Sequence, residues 1–191
     1  MLRSSASAAA VCVALAGVTA QAQDPGLPLR ITSWAVNMSN IGTGANAIVD
    51  ITIDRWSTDA ERQGLITTFF EKGPEKLLDA LQDTKPVGRI RLPNTLGYDL
   101  RFARHHPMED GGERYVIITD RRIGFAEARN QPRTIDYPFT LIEIRVAKDG
   151  KGEGKMSVAT KISYNKKQNT VELENYSSEP VRLTNVKVEK K

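Results

Sequence analysis

VDITIDRWSTDAERQGLITTFFEKGPEKLLDALQDTKPVGRIRL, residues 49–92, decides the fold that we predict for this chain. The first six residues, 49–54, alternate apolar and polar side chains, which is the period of a strand with one buried face. Thr58 and Glu61 then match a capping box, in which each side chain satisfies a free backbone N–H at a helix start. Apolar residues three and four apart follow, so the segment predicts a strand that leads into a helix.

A second helix follows the first after a short break. Gly73 and Pro74 mark the break, because glycine commonly ends a helix and proline fits the first turn of the next one. Leu77, Leu78 and Leu81 give the second helix an apolar stripe, and residues 84–88 end it before another strand. The segment therefore predicts a two-helix insert at about 57–83 that covers the open end or one face of a β-sheet.

The rest of the chain is typical of strands joined by short loops. Its alternating segments give about eight or nine strands in all, so we predict a mainly β fold with a two-helix insert, in the α+β class. An antiparallel barrel is the first choice because sequential hairpins build it and closure removes sheet edges, and a two-sheet sandwich is the second choice. Two details of the first and last strands follow from the pattern, namely inward packing of Ile31, Trp34 and Val36 and a β-bulge near Thr184 and Asn185.

Residues 1–22 have the pattern of a secretory signal peptide. Arg3 supplies the positive start, residues 8–18 form an apolar run that is too short to span a bilayer, and Ala20-Gln21-Ala22 fits the cleavage site. We therefore expect a secreted or periplasmic protein, cleaved near Ala22, whose residues 23–191 form a single β-rich domain. Cys12 is the only cysteine and lies in the signal segment, so the exported domain holds no disulfide and depends on its own core.

The charge pattern does not predict a nucleic-acid partner. The net charge is +4, and basic and acidic residues are mixed along the chain. A nucleic-acid-binding domain would show a clustered basic face with aromatic residues between the charges, and the sequence shows no such cluster. No second apolar segment approaches the length of a membrane span.

The sequence contains no convincing catalytic or metal-binding set. His105 and His106 are the only histidines, and we expect them in an exposed hairpin loop over residues 105–112. Adjacent histidines point in different directions and the usual ligand spacings are absent, so we predict neither a metal nor a cofactor. The nucleophile elbow of hydrolases and the phosphate-binding glycine loop are also missing, which argues against common hydrolases and nucleotide enzymes.

The candidate binding residues lie in three polar-aromatic clusters at predicted strand ends, residues 54–56, 120–122 and 136–139. If these strand ends meet at a barrel mouth, Arg55 or Arg121 can pair with Asp136, and Trp56 and Tyr137 can form a pocket wall. Arginine beside aromatic rings suits an anionic or planar ligand. In the alternative interpretation the clusters are structural, with an ion pair that fixes the strand ends and Trp56 as a plug of the core.

A second possible ligand space lies along the predicted strand 154–164. Small residues on one of its sides, Ser157, Ala159 and Ser163, could leave room for a ligand inside a barrel. Lys155 and Lys161 share that side and favour contact with water instead.

Several of these segments together resemble a group of short exported bacterial proteins of uncharacterised function. The resemblance lies in residues 54–62, 119–121, 136–143 and 152–155, and it extends over most of the exported domain. It implies a location in the bacterial envelope or outside the cell. It implies no activity, cofactor or catalytic residue.

We expect a non-catalytic exported binding protein for a small apolar or anionic ligand or for an envelope partner. One alternative is a barrel-type isomerase or lyase with a pocket near the strand ends, for which Asp120 joins Arg55, Arg121, Asp136 and Tyr137 as a residue to test. Another is a structural interaction protein of the envelope. The sequence leaves the oligomeric state and the identity of the ligand open.

Overall fold

A computed structural model of the protein describes residues 26–38, 46–123, 136–165, 167–168, 170–175 and 179–190. The expected signal peptide lies outside these residues. In the described part the chain forms these elements: β1 (Leu29–Val36), β2 (Asn46–Ile53), α1 (Asp59–Lys72), α2 (Pro74–Gln82), β3 (Gly88–Arg91), β4 (Tyr98–Leu100), β5 (Phe102–Pro107), β6 (Glu113–Thr119), β7 (Phe139–Val146), β8 (Gly152–Asn165), β9 (Thr170–Asn175) and β10 (Val181–Lys190). The mainly β fold with a two-helix insert is confirmed.

The strands form a nearly closed antiparallel barrel, which was the first choice from the sequence. Their order is β4-β3-β2-β1-β10-β8-β7-β6-β5, and β9 pairs with β8 outside this path. The first and last strands lie side by side, because β1 pairs with β10 over most of its length. Leu29 pairs with both Ile53 and Lys190, so the connection from β2 to α1 leaves the barrel at the same end as the start of β1 and the end of β10.

The barrel nearly closes because β4 and β5 act as one strand with a bend at Arg101. β4 pairs with β3, whereas β5 pairs with β6, so the bend carries the chain from one end of the sheet to the other. The connection after β2 is bonded both to the residue that precedes β3 and to β5. The N–H of Asp54 donates to the carbonyl of Val87 at 2.9 Å, and the N–H of Ser57 donates to the carbonyl of Ala103 at 2.9 Å.

Aliphatic side chains fill the barrel interior. β8 contributes Met156 and Val158 to this core, while Lys155 and Ser157 take the outward positions. Ser157 therefore faces away from the core, whereas Ala159, which the sequence placed on the same side, is buried at 2% exposure. Fully buried side chains of the other strands complete the core, including Leu29, Ile31, Val49, Ile51, Ile53, Ile90, Leu100, Ile117, Ile142, Ile144 and Leu183.

Two predictions about β1 and β10 had opposite outcomes. The inward packing of Trp34 was wrong, because alternation from the buried Leu29 and Ile31 places Trp34 outward, where it is 45% exposed. The β-bulge near Asn185 is confirmed. The register shifts between Leu183 and Val186, and Asn185 takes a left-handed φ of 50°.

The predicted hairpin loop over residues 105–112 was also wrong at its start. Strand β5 continues through His105 and His106 to Pro107, because its pairing with β6 runs in register as far as Glu113. Both histidines therefore lie on a strand, with His105 half-buried and His106 exposed.

The two helices cover one outer face of the sheet. Thr58 and Glu61 form the predicted capping box at the start of α1, and Pro74 begins α2. Phe69 and Leu81 are the buried helical residues, and they share an apolar groove with strand residues Phe102, Ile118 and Phe139. These strand positions alternate with core positions, so the sheet beneath the helices is apolar on both faces.

Candidate functional site

An apolar concave surface lies between the helix pair and the outer face of the sheet, and we call it the helix–sheet groove. Its volume is about 250 Å³, close to the lower end of the range of roughly 300–1,000 Å³ for small-molecule sites. Eleven apolar residues and one arginine line it: Arg62, Leu65, Ile66, Phe69, Phe70, Leu77, Leu81, Phe102, Ile118, Phe139, Ile162 and Val171.

The helical side of the groove follows from the sequence of α1. Arg62, Leu65, Ile66 and Phe69 are three, four and seven residues apart, so they share one helix face. Leu77 and Leu81 supply the same spacing on α2.

On the strand side, Tyr164 supports the aromatic part of the wall. Its ring packs edge-on against Phe69 and Phe70, with centroid distances of 6.1 and 4.9 Å. The wall is nevertheless partly open to water, since Phe70 is 46% and Val171 is 50% exposed. The groove is therefore a formed apolar site that additional apolar atoms can still enter.

Arg62 is the only charged residue of the groove lining. Its side chain is exposed, and among the described residues it forms no ion pair. The charge of Arg62 also acts on His106 of β5. The pKa of His106 is lowered, first by partial burial and then by the charges of Arg104, Arg114, His105 and Arg62. The groove therefore opens beside positive potential.

Comparison with protein-family models, curated proteins and solved structures found no match. The site must therefore be interpreted from its own geometry. The described residues contain no cluster of three or more His, Cys, Asp or Glu side chains able to hold a metal ion. Among the described helices, none has the length and apolarity to cross a membrane.

Arg55 fixes the start of α1. Its two terminal nitrogens each donate to a carboxylate oxygen of Glu61 at 3.0 Å, and one also donates to the carbonyl of Lys85 at 2.7 Å. The hydrogen bond from Arg55 is the largest influence on Glu61 and lowers the pKa of its carboxyl. Arg55 thus pairs with Glu61, where the sequence suggested Asp136.

Trp56 packs against the barrel core. Its ring lies 6.1 Å from the ring of Tyr115 in a stacked arrangement and 4.7 Å from that of His105. Burial raises the pKa of Tyr115 to about 12, and His105 Nδ1 lies 3.3 Å from a carboxylate oxygen of Glu113. This geometry agrees with the structural alternative, in which Trp56 plugs the core.

The other three predicted residues flank the segment between β6 and β7. The side chain of Arg121 is exposed, while its carbonyl accepts a hydrogen bond from Thr140 Oγ1 at 2.9 Å. Asp136 is exposed, and the hydroxyl of Tyr137 donates to Glu174 Oε1 on β9 at 2.6 Å. None of the five predicted residues lines the helix–sheet groove. Their role in ligand binding stays a prediction.

Sequence reasoning missed the groove because it assigned its residues to packing. One signal was present in α1, where the adjacent pairs Leu65-Ile66 and Phe69-Phe70 make a wider apolar face than a single stripe. The structure buries Phe69 but leaves Phe70 nearly half exposed. This surplus of apolar surface on α1 is the signal by which the groove could have been found from the sequence.

Proposed function

We propose that the protein is an exported, non-catalytic binding protein for a single-chain anionic amphiphile, such as a long-chain fatty acid. One observation carries the proposal: an apolar groove with eleven apolar lining residues has a single cation, Arg62, in its lining. A ligand with an acyl chain and one anionic head group matches both parts of this site. The signal-like residues 1–22 support export.

The acyl chain supplies most of the expected affinity. Each buried methylene contributes about 0.8 kcal/mol through the hydrophobic effect, and the groove offers aliphatic and aromatic side chains on every side. The head group remains near water beside Arg62. An exposed ion pair contributes only about 0.2–1 kcal/mol, so Arg62 selects and orients the head group more than it holds the ligand.

The lining chemistry favours binding over reaction. The groove lining contains no hydroxyl, thiol, imidazole or carboxyl group, and a guanidinium stays protonated at all ordinary pH values. A nucleophile or a general acid–base pair is therefore missing from the groove. Arg62 can hold an anion there, but it has no lining partner with which to move a proton.

The first test is calorimetric titration of the purified protein with dodecanoate. Ile66→Asp should abolish binding, because it places a carboxylate among apolar side chains and close to the anionic ligand. Gln63→Asp is the matched control on the exposed side of α1, and it should bind as the wild type does. Failure of the wild-type protein to bind dodecanoate, or unchanged binding by Ile66→Asp, would overturn the proposal.

The second test separates the contribution of the ligand's head group to binding from that of its acyl chain. Arg62→Gln should weaken dodecanoate binding about two- to fivefold and leave dodecanol binding unchanged, because only the acid pairs with the guanidinium. An equal loss for acid and alcohol would show that Arg62 acts through the shape of the groove, and the anionic part of the proposal would then be withdrawn.

A further inference from the structure

A row of positive charges lies beside the helix–sheet groove on the uncovered part of the same outer sheet face. The strand register places His106, Arg114, Arg145 and Glu153 opposite one another across β5, β6, β7 and β8. The next row runs through Arg104, Val116, Glu143, Lys155 and Arg182 and reaches β10. We call the cations of these rows, together with the neighbouring helical arginine, the basic face: Arg62, Arg104, Arg114, Arg145, Lys155 and Arg182.

The carboxylates on this surface are too few to neutralise it. Asp59 pairs with Arg104 at 2.6 Å, and one carboxylate oxygen of Glu143 is shared by Arg114 at 3.0 Å and Arg145 at 2.9 Å. Glu153 is the third acidic group, so six cations face three carboxylates. On the opposite side of the barrel, Arg30 and Arg89 each have a carboxylate partner of their own.

Two cross-strand ion pairs lie on that opposite side of the barrel. Arg30 pairs with Asp50 at 2.6 Å, and Arg89 pairs with Asp99 at 3.4 Å. Both pairs join neighbouring strands between β1 and β4. Arg30 and Arg89 therefore have separate carboxylate partners, whereas Arg114 and Arg145 share Glu143.

Lys155 and Arg182 indicate most clearly that the excess positive charge of the basic face binds a partner. They are direct cross-strand neighbours on β8 and β10, and both side chains are exposed. Neither forms an ion pair among the described residues. Like charges directly opposite each other destabilise a sheet, and the carboxylate opposite Lys155 on its other side, Glu143, already pairs with Arg114 and Arg145, so the free protein carries an electrostatic cost here. An anionic partner would remove that cost.

We propose that the basic face docks the protein onto an anionic phospholipid bilayer, where the helix–sheet groove exchanges its amphiphile. This inference rests on the proposed function. Basic residues near an anionic membrane each strengthen binding about fivefold. Arg62 belongs to both surfaces, so docking brings the groove to the lipid.

Exposed apolar side chains around the groove fit the same orientation. Phe70 and Val171 are about half exposed, and Leu173, two residues along the same face of β9, is 54% exposed. Such side chains can enter the head-group region while the cations contact phosphates. Among the described strand positions of these two rows, the only ring is the imidazole of His106 at the edge of the first row, with no Phe, Tyr or Trp between the charges. Base stacking on aromatic side chains is a main source of single-strand nucleic-acid binding. The geometry therefore favours a bilayer over nucleic acid.

Co-sedimentation with vesicles tests the docking. The protein should pellet with vesicles of phosphatidylcholine and phosphatidylglycerol but not with phosphatidylcholine alone, and added salt should release it. Lys155→Glu/Arg182→Glu should weaken the interaction at least about thirtyfold. Arg91→Glu/Lys190→Glu makes the same charge change at exposed strand positions outside the basic face, and it should retain most of the binding.

Dodecanoate titration without vesicles separates this inference from the proposed function. Lys155→Glu/Arg182→Glu should bind dodecanoate as the wild type does, which also shows that the variant is folded. Equal pelleting with neutral vesicles, equal loss in the two charge-reversal variants, or tighter binding to a single-stranded oligonucleotide than to anionic vesicles would overturn the docking proposal. A wild type that docks but does not bind dodecanoate would leave docking standing and remove the proposed function.

Discussion

The Nε atom of Arg101 lies 3.5 Å from a carboxylate oxygen of Asp120, and the two side chains are only 18% and 4% exposed. Arg101 also donates from Nη1 to the carbonyl of Thr84 at 2.9 Å. The pair ties the bend between β4 and β5 to the end of β6 and to the segment after α2. The sequence suggested Asp120 as a residue to test in an enzyme, and the structure gives it this structural contact.

Asp120→Asn should destabilise the protein by about 3 kcal/mol. The substitution leaves a mostly buried guanidinium without its counter-charge, which costs more than the pair contributes. Urea unfolding measures the loss, and Asp136→Asn is the control because Asp136 is exposed. Arg101→Met/Asp120→Asn should recover part of the stability. The interpretation fails if Asp120→Asn costs no more than the control.

Removal of Glu61 should change how stability depends on pH. Its pKa in the folded protein is lowered from 4.5, with the hydrogen bond from Arg55 as the largest cause. The stabilising contribution is therefore complete above about pH 4.5 and is lost as the pH falls through the lowered folded pKa. Glu61→Gln should unfold at lower urea concentration near neutrality, and its stability should decline less on acidification.

Glu71→Gln is the control for this pH dependence. It makes the same change on an exposed position of α1. If the stability of Glu61→Gln declines on acidification as much as that of the wild type and of Glu71→Gln, the pair of Arg55 and Glu61 does not contribute to acid sensitivity.

Two glycine substitutions should have opposite signs. A Cβ at Gly88 would stand 2.1 Å from the carbonyl oxygen of Thr52, so Gly88→Ala must push β2 and β3 apart and should cost more than about 2 kcal/mol. Gly64 lies within α1, and an added Cβ would meet no atom within 4 Å beyond the backbone of its own helix, so Gly64→Ala should stabilise by roughly 0.5–1 kcal/mol. Thermal unfolding of both variants tests the local geometry. Two losses of similar size would contradict it.

The two tryptophans should report opposite surroundings. Trp56 packs on the core, whereas Trp34 is 45% exposed on β1. Trp56→Ala should therefore cost about 3 kcal/mol, and Trp34→Ala less than about 1 kcal/mol. Trp56→Phe leaves Trp34 as the one tryptophan, and Trp34→Phe leaves Trp56. Acrylamide should quench the emission of Trp34 strongly and that of Trp56 weakly. Equal quenching would place Trp56 in solvent and remove its role as a plug.

Local chemistry explains which parts of the fold were predictable. The capping box at Thr58 and Glu61 depends on residues three apart, and the bulge at Asn185 depends on a shift of phase inside one strand. Both features can be identified without knowledge of partners. The position of His105 and His106 depends on how far β5 pairs with β6, so a local pattern ended that strand too early.

The chain's own alternation and helix signals determined a β-rich fold with a helical insert, because burial of one face imposes a period on each strand. The choice of a barrel over a two-sheet sandwich was decided by the strand pairing. The helix–sheet groove and the basic face arose only in the tertiary structure. Arg104, Arg145 and Arg182 are distant along the chain and have ordinary polar positions, yet strand register makes them parts of one surface. Outward positions carry no burial constraint that reveals their neighbours, so pairing between strands decides which charges meet.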